Sequence, residues 1–545
     1  MGEITRRSFF GRSAASAVAA SAASAVVTSS GGVGQARADT DPSRPNILVV
    51  IVDEMRTPQW FPSEQKLATL LPNIARIRAG GVSFDRYYSA ATMCTPARGT
   101  MLTGLYAHQT GCMLVNQSTL ASGFPTWGSL VSARGYQSWW YGKWHLGHTP
   151  DTTPGGLGAY GFSGGTYPSP NGSPNQGMHV DPSITGQFID WFGSKAGDGP
   201  WCTTVSFVNP HDIQWWPRWT HLVQQQNAIP QIITSLPPNY ETPQQLEKNK
   251  PRLQTALRQV ANIAFGVPEY SGPQAEKQWI AMANLYLWYQ RQVDVQIGRV
   301  LDTLAARPDV AANTVVVFTA DHGDYAGSHG LHGKGGAVYE ESIRVPLVVH
   351  DPRGKLSRGT GPAQSRSQLV SSVDLTPFIL TVATGGNAWR SEPNLAHLAA
   401  RADIAAICSN PDAAGRPWIA HTTDEHTIEE GALAFDANAP AHVVGVRTPT
   451  AKFAAYSHWK RGTIDIDHTQ TQEFELYDYR TTRGPLEVDN LAGGTSTLRS
   501  QMQELLATAS ATEVDQPLPA YLAAAAQQGL HDYFTQAGSF ANPFA

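Results

Sequence analysis

The chain has 545 residues, of which 41% are hydrophobic and 15% charged, with a formal net charge of −5. That balance describes a soluble globular protein, long enough for one large α/β domain and a smaller one. It excludes a basic nucleic-acid binder, since no basic stripe with interleaved aromatics occurs, and four cysteines imply no disulfide framework.

The first segment stands apart. Thr5-Arg6-Arg7-Ser8-Phe9-Phe10 precedes an Ala/Ser/Val-rich run to Val27, and Ala36-Arg37-Ala38 supplies an A-x-A cleavage pattern before Asp39. Residues 1–38 read as a twin-arginine export leader, with the twin-arginine translocase as partner and a periplasmic, cell-wall or extracellular destination. A membrane-spanning helix is the weaker reading, because the run holds few bulky apolar residues. No later run is apolar for long enough to span a bilayer.

Ile47-Leu48-Val49-Val50-Ile51-Val52 is apolar without alternation, which predicts a strand buried on both faces of a largely parallel sheet. It ends in Asp53-Glu54. Acids at the carboxyl end of a buried strand are costly unless they meet a cation, and open α/β sheets place their ligands at those ends. Pro72–Ala79 reads as a helix, and Val82, Phe84, Tyr87 and Tyr88 as a strand-like run. The next stretch, MCTPARGTMLTG over residues 93–104, puts Cys94 at or near a helix N-terminus, with Thr95 and Pro96 near the first turn. Backbone N–H groups there favour an anion and activate a thiol; the alternative is a small core cysteine beside a turn.

Residues 126–133 look helical and Gln137–Tyr141 strand-like, leading into Gly142-Lys143-Trp144-His145. Residues 150–182, rich in Gly, Pro, Ser, Asn and Thr, predict an active-site loop. Thr203–Val208 is a further apolar strand and ends in Asn209-Pro210-His211-Asp212. Residues 213–270 form an insertion, in which Trp215, Trp216 and Trp219 stand close enough to His211 to wall a pocket or to form an aromatic patch under a loop. A long amphipathic helix is predicted over Gln278–Leu304, and a buried strand over Asn313–Thr319 delivers Asp321-His322-Gly323-Asp324. Beyond it come a strand over 344–350, a helix over 372–383, an irregular stretch over 384–410, three short strands between 443 and 479, and a helix near 498–507.

CTPARGTMLTG resembles the signature of the formylglycine-dependent (type I) sulfatases of the alkaline phosphatase superfamily, C-x-P-S-R followed by four residues and Thr-Gly. Ala97 stands where Ser is usual. GYQSWWYGKWHLG resembles the second sulfatase signature, and Pro210-His211, Asp321-His322-Gly323, Lys334 within SHGLHGKGGAVYEESI, and ELYDYRTTRGPLEVDNLA continue the likeness over residues 45–500. Asp53-Glu54 departs from the usual Asp-Asp, and His322 stands where many members have Asn.

The resemblance implies an α/β fold with a large three-layer domain, a mostly parallel central sheet and a small C-terminal α+β subdomain with an antiparallel sheet, divided as 1–38, 39–430 and 431–545. It implies hydrolysis of a small-molecule or saccharide sulfate ester by a formylglycine that a formylglycine-generating enzyme makes from Cys94. Arg98 would steady its hydrate. Asp53, Cys94, Asp321 and His322 would hold a divalent metal, usually Ca2+ in the family, with Mg2+ or Mn2+ open because imidazole is an uncommon calcium ligand; Glu54 is an uncertain ligand. Lys143 and Lys334 would fix sulfate oxygens, His211 would protonate the leaving alkoxide, and His145 or a neighbour would remove the second proton of the hydrate so that sulfate is expelled. His329 and His332 are left outside the core site. A phosphonate monoester or phosphodiester hydrolase of the same superfamily is the alternative, disfavoured by Lys143 and His145, and an inactive sulfo-sugar binding protein is the alternative of another class.

Overall fold

The computed structural model describes residues 44–537 apart from 60–61, 116–117, 148–155, 425–435, 437 and 461. The expected leader at 1–38, the first part of the expected 150–182 loop and the expected boundary at 430 lie outside these residues.

An eight-stranded sheet runs in the order Ser163–Gly164, Gln137–Gly142, Trp201–Pro210, Asn46–Asp53, Thr314–Ala320, Leu347–His350, Val82–Phe84, Gln364–Arg366. Asn46–Asp53 is parallel to both its neighbours, and only Leu347–His350 runs against the strands beside it. The unalternating sequence of Asn46–Asp53 has its reason here: Ile47 to Val52 are fully buried, with helices Gln176–Lys195 and Pro273–Ala305 on one side and helix Leu375–Thr384 on the other. The sheet is thus the middle of three layers. Among the described residues no helix is long and apolar enough to cross a membrane.

Three of these strands end together at their carboxyl ends, as Asp53, His211 and Asp321 show. The register between Asn46–Asp53 and Trp201–Pro210 slips at the last step, from Val52 opposite Phe207 to Asp53 opposite Pro210. The slip bulges Val208 and Asn209, whose N–H groups are taken up by the buried Asp181 carboxylate at 2.7 and 3.0 Å. Asp212 in turn accepts from Gly177 and Met178 in the first turn of Gln176–Lys195, at 3.1 and 3.0 Å. Those donors would otherwise be orphaned at the helix N-terminus. His211 therefore follows a strand end that Asp181 and Asp212 tie to the preceding helix, Gln176–Lys195.

Several expectations need correction. The loop expected to reach residue 182 ends at Asn175, because helix Gln176–Lys195 begins there despite Pro182 in its second turn. The 213–270 insertion, for which the sequence names no elements, carries helices His221–Gln226, Pro243–Asn249 and Arg252–Phe265. The strand expected over 344–350 is confined to Leu347–His350. The smaller sheet holds four antiparallel strands, Ile419–Thr423, His442–Arg447, Ala451–Ser457 and Glu473–Asp478, so it takes its first strand from upstream of residue 431. Helix Thr497–Ala509 packs on it, and a further helix, Ala523–Ala537, follows. Thr422 ties this sheet to the chain just before Cys94, donating its N–H to the Ala90 carbonyl at 2.9 Å.

Gly142 closes the strand that presents Lys143. Its φ is 95°, and a Cβ added there would lie 1.9 Å from the Ser206 carbonyl oxygen. Gly142→Ala is expected to destabilise the protein by more than about 3 kcal/mol, read as a drop in the denaturant midpoint at unchanged m-value.

Candidate active site

Cys94 opens helix Cys94–Thr103, every side chain of which is buried. Its Sγ lies 3.2 Å from His322 Nε2 and 3.6 Å from both Asp53 Oδ1 and Lys143 Nζ. Burial and Asp53 push the thiol up, but Lys143, Lys334 and His322 outweigh them and hold it well below its ordinary value. The sulfur is thus a thiolate in an electropositive pocket at a helix N-terminus.

One turn on, Arg98 is fully buried and spans two acids, with Nη2 3.1 Å from Asp53 Oδ2 and Nε 2.9 Å from Asp321 Oδ2. Its Nη1 donates to the Lys143 carbonyl at 2.7 Å and to Ser206 Oγ at 3.0 Å. Cys94 and Arg98 share a helix face at i, i+4, so the same helix sets the sulfur and the cation beneath it. Lys143 Nζ lies 2.6 Å from Asp53 Oδ2. Burial pushes the Asp53 carboxyl up, yet Lys143, His211 and Arg98 hold it well below the usual carboxylate range.

Asp321 accepts at Oδ1 from the backbone N–H of both His322 and Glu54, at 2.9 and 3.1 Å, which draws the ends of the two strands together. His322 Nδ1 lies 3.1 Å from the Gly323 carbonyl, which leaves Nε2 facing Cys94, Asp53 and Asp321; burial pulls its pKa down while Asp321 and Cys94 raise it above the ordinary value, and in the neutral ring a proton on Nδ1 turns the Nε2 lone pair to that side. One donor atom from each of Asp53, Cys94, Asp321 and His322 falls within 4.8 Å of the others. Two carboxylates, an imidazole lone pair and the residue-94 side chain make a set that fits a divalent cation.

Glu54 belongs to a second group. Its Oε2 lies 2.5 Å from Lys334 Nζ and 2.8 Å from His211 Nδ1, and with Asp53 and His211 it makes a separate cluster of potential ligands. Next to it, burial, the Glu54 charge and a side-chain hydrogen bond with Glu54 push the Asp324 carboxyl well above the usual carboxylate range. Asp324 was legible in the Asp-His-Gly-Asp run but carried no expected role. His211 is pushed up to about 10: burial, Lys143 and Lys334 work against its charge, and Asp53 and Glu54 prevail. His145, half-buried with a φ of 57°, is pushed down to about 4 by burial and Lys143, against a contrary pull from Cys94.

The ten expected site residues are thereby brought around one point. Of the three tryptophans, Trp215 reaches the site, donating from Nε1 to the Gly172 carbonyl at 2.6 Å. Trp216 is buried against Trp279, and Trp219 is exposed. His329 lies apart in the core, 2.7 Å from Glu241. All four cysteines are buried and unbridged.

A mostly parallel sheet gathers a cysteine, Arg98, Lys143, Lys334, His211 and a cluster of potential metal ligands at its carboxyl end, an arrangement suited to tetrahedral oxyanion esters. The sulfatase family model matches residues 45–386, and the chain belongs to that family; it is a sulfatase, a sulfuric ester hydrolase. Over 368 residues it is 30% identical to the sulfatase YidJ of Escherichia coli, covering 62% of this chain and 68% of that one. Over 399 residues it is 25% identical to the N-acetylglucosamine-6-O-sulfatase of Bacteroides thetaiotaomicron, again covering 62% and 68%. Among solved structures, a phosphonate monoester hydrolase from Silicibacter pomeroyi shares the fold with a TM-score of 0.62 at 19% identity, covering 88% of this chain and 97% of that one.

Arg98 is the group whose loss the site tolerates least, since Asp53 and Asp321 would remain buried without their shared guanidinium. Arg98→Ala is expected to cost about 3–5 kcal/mol of stability, and Arg98→Lys, which reaches only one carboxylate, to recover part of it in the same thermal-unfolding series.

Proposed function

We propose that Cys94 is the precursor of a formylglycine nucleophile and that Asp53, Asp321, His322 and residue 94 hold a divalent cation beside it. The carrying observation is the convergence of these four side chains with Lys143, Lys334, His211 and His145. When bound, the cation polarises the sulfate and acidifies the hydrated residue 94. Lys143 and Lys334 bind sulfate oxygens and offset the charge that builds on them. Arg98 holds Asp53 and Asp321 apart in the orientation the cation needs. His211, held protonated by Asp53 and Glu54, gives its Nε2 proton to the departing alkoxide, and neutral His145 takes a proton from the residue-94 hydroxyl.

Glu54 is proposed as a partner of Lys334 and His211 rather than a cation ligand. The family's habit of using calcium supports Ca2+, while the imidazole of His322 keeps Mg2+ or Mn2+ open. The arginine pair and A-x-A pattern support export of the folded protein through the twin-arginine pathway, and the sulfated-sugar activity named for a relative supports a small or saccharide sulfate ester as substrate.

The reading is tested on protein made together with a formylglycine-generating enzyme. Intact mass is expected to show residue 94 with one oxygen in place of sulfur and two hydrogens. Aryl sulfate turnover is expected to exceed aryl phosphate turnover and to vanish with chelation or in Cys94→Ala. An unmodified thiol in active protein, or a preference for the phosphonate or phosphodiester, overturns it.

The two histidines also set a pH window. His145 must be neutral and His211 protonated, so kcat/KM is expected to rise as pH climbs through about 4 and to fall as it climbs through about 10. His211→Asn is expected to abolish the alkaline limb and to lower kcat by about 10²–10⁴ for alkyl sulfates, with a smaller loss for aryl sulfates whose leaving groups need no proton.

A further inference from the structure

The reacting residue is sealed from solvent: Cys94 is 1% exposed and Lys143 not at all. A substrate therefore reaches the sulfur only if something moves. The covering layer is the segment between Gly165 and Asn175. Tyr167, Pro168, Asn171 and Pro174 on it are exposed, while Pro170 and Gly172 between them are buried, so a surface segment dips inward there. The Gly172 carbonyl lies 3.2 Å from His211 Nε2 and accepts from Trp215 Nε1 at 2.6 Å. Its N–H donates to Gln176 Oε1 at 2.7 Å. The fit is close: a Cβ on Gly172, whose φ is 91°, would lie 2.4 Å from His211 Nε2 and 3.0 Å from Lys143 Nζ.

Nδ1 of His211 is engaged by Asp53 and Glu54, at 3.2 and 2.8 Å, so Nε2 is the nitrogen left to meet a substrate. That nitrogen is the one the Gly172 carbonyl covers. We propose that residues 165–175 form a strap that closes the site at rest, with the Gly172 carbonyl holding the place on His211 that the leaving oxygen of the ester takes when the strap is displaced. The identity of that oxygen rests on the acid role proposed for His211; the closure itself rests on burial and on the contacts of Gly172. Trp215 is the latch. The proline-rich run Pro168-Ser169-Pro170-Asn171-Gly172-Ser173-Pro174 stiffens both arms of the strap and leaves glycine alone at the point of insertion. At one end of the strap Thr166 Oγ1 accepts from the Gly142 N–H at 2.6 Å and Ser169 Oγ from the Trp144 N–H at 3.2 Å. At the other end Asn175 Nδ2 donates to the Trp219 carbonyl at 3.0 Å, so both ends are tied down and the stretch around Gly172 is the part free to lift.

The test uses the full chain made without a maturation enzyme, which keeps the thiol, and follows alkylation of each cysteine by iodoacetamide with peptide mass analysis. Cys112, Cys202 and Cys408 are buried and serve as controls for unfolding. Trp215→Phe keeps an aromatic side chain but removes the N–H with the pyrrole half of the indole, and is expected to raise the Cys94 rate at least about three- to tenfold, the worth of one hydrogen bond, with the other three thiols silent. Gly172→Ala is expected to raise it further. Rates equal to the parent's in both variants overturn the strap, and so does a Cys94 that reacts only in step with the other three. The readout needs no turnover, so this pattern in the thiol protein, found together with matured protein that hydrolyses no sulfate ester, counts against the catalytic roles above and leaves the strap standing.

Discussion

Everything at the carboxyl end of the sheet is arranged around one buried carboxylate. Asp53 ends a strand buried along its whole length, where an isolated charge would be prohibitively costly. It is tolerated because Lys143 and Arg98 pair with it and His211 stands beside it. These partners come from the end of a strand two places away in the sheet, from the helix that begins at Cys94, and from the bulged end of the adjacent strand. Satisfying a single acid thus forces three distant pieces of chain to one place, and the sulfur at the head of that helix arrives with them.

The charges form two linked layers. The inner layer is Asp53, Asp321, Arg98, Lys143 and His322 around the sulfur. The outer layer is Glu54, Lys334, His211 and Asp324, in which Glu54 meets both Lys334 and His211 Nδ1. Asp53 belongs to both, which couples the protonation of His211 to the positioning of residue 94. The segment carrying Lys334 is anchored behind by buried ion pairs to the smaller sheet, where Lys452 meets Glu340 at 3.1 Å and Glu487 at 2.7 Å.

Much of this is legible in the chain because the chemistry sits at strand ends, and strands buried on both faces announce themselves by unbroken apolar runs. Asp53, His211 and Asp321 each follow such a run, and Cys94 and Arg98 are fixed by helical spacing. Less legible are the residues that act through their backbone. Gly172 belongs to a stretch whose composition says only loop, and its carbonyl has no sequence signature. Asp181 and Asp212 were hidden because Pro182 and the Gly-rich lead-in disguised the helix start that needs them. Ile419–Thr423 is missed for a different reason: its partner strand lies some twenty residues on, and pairing across such a gap leaves no local pattern.

The helix bearing Cys94 also has a temporal meaning. From Cys94 to Thr103 no side chain reaches the surface, and the preceding Ala90 is stitched to the smaller sheet. Any enzyme that recognises the Cys94-Thr95-Pro96-Ala97-Arg98 core in order to alter the cysteine finds it presented only while the chain is still open. If Cys94 is converted as proposed above, this burial places the covalent step before the fold closes over the residue, and any export of the folded protein after it.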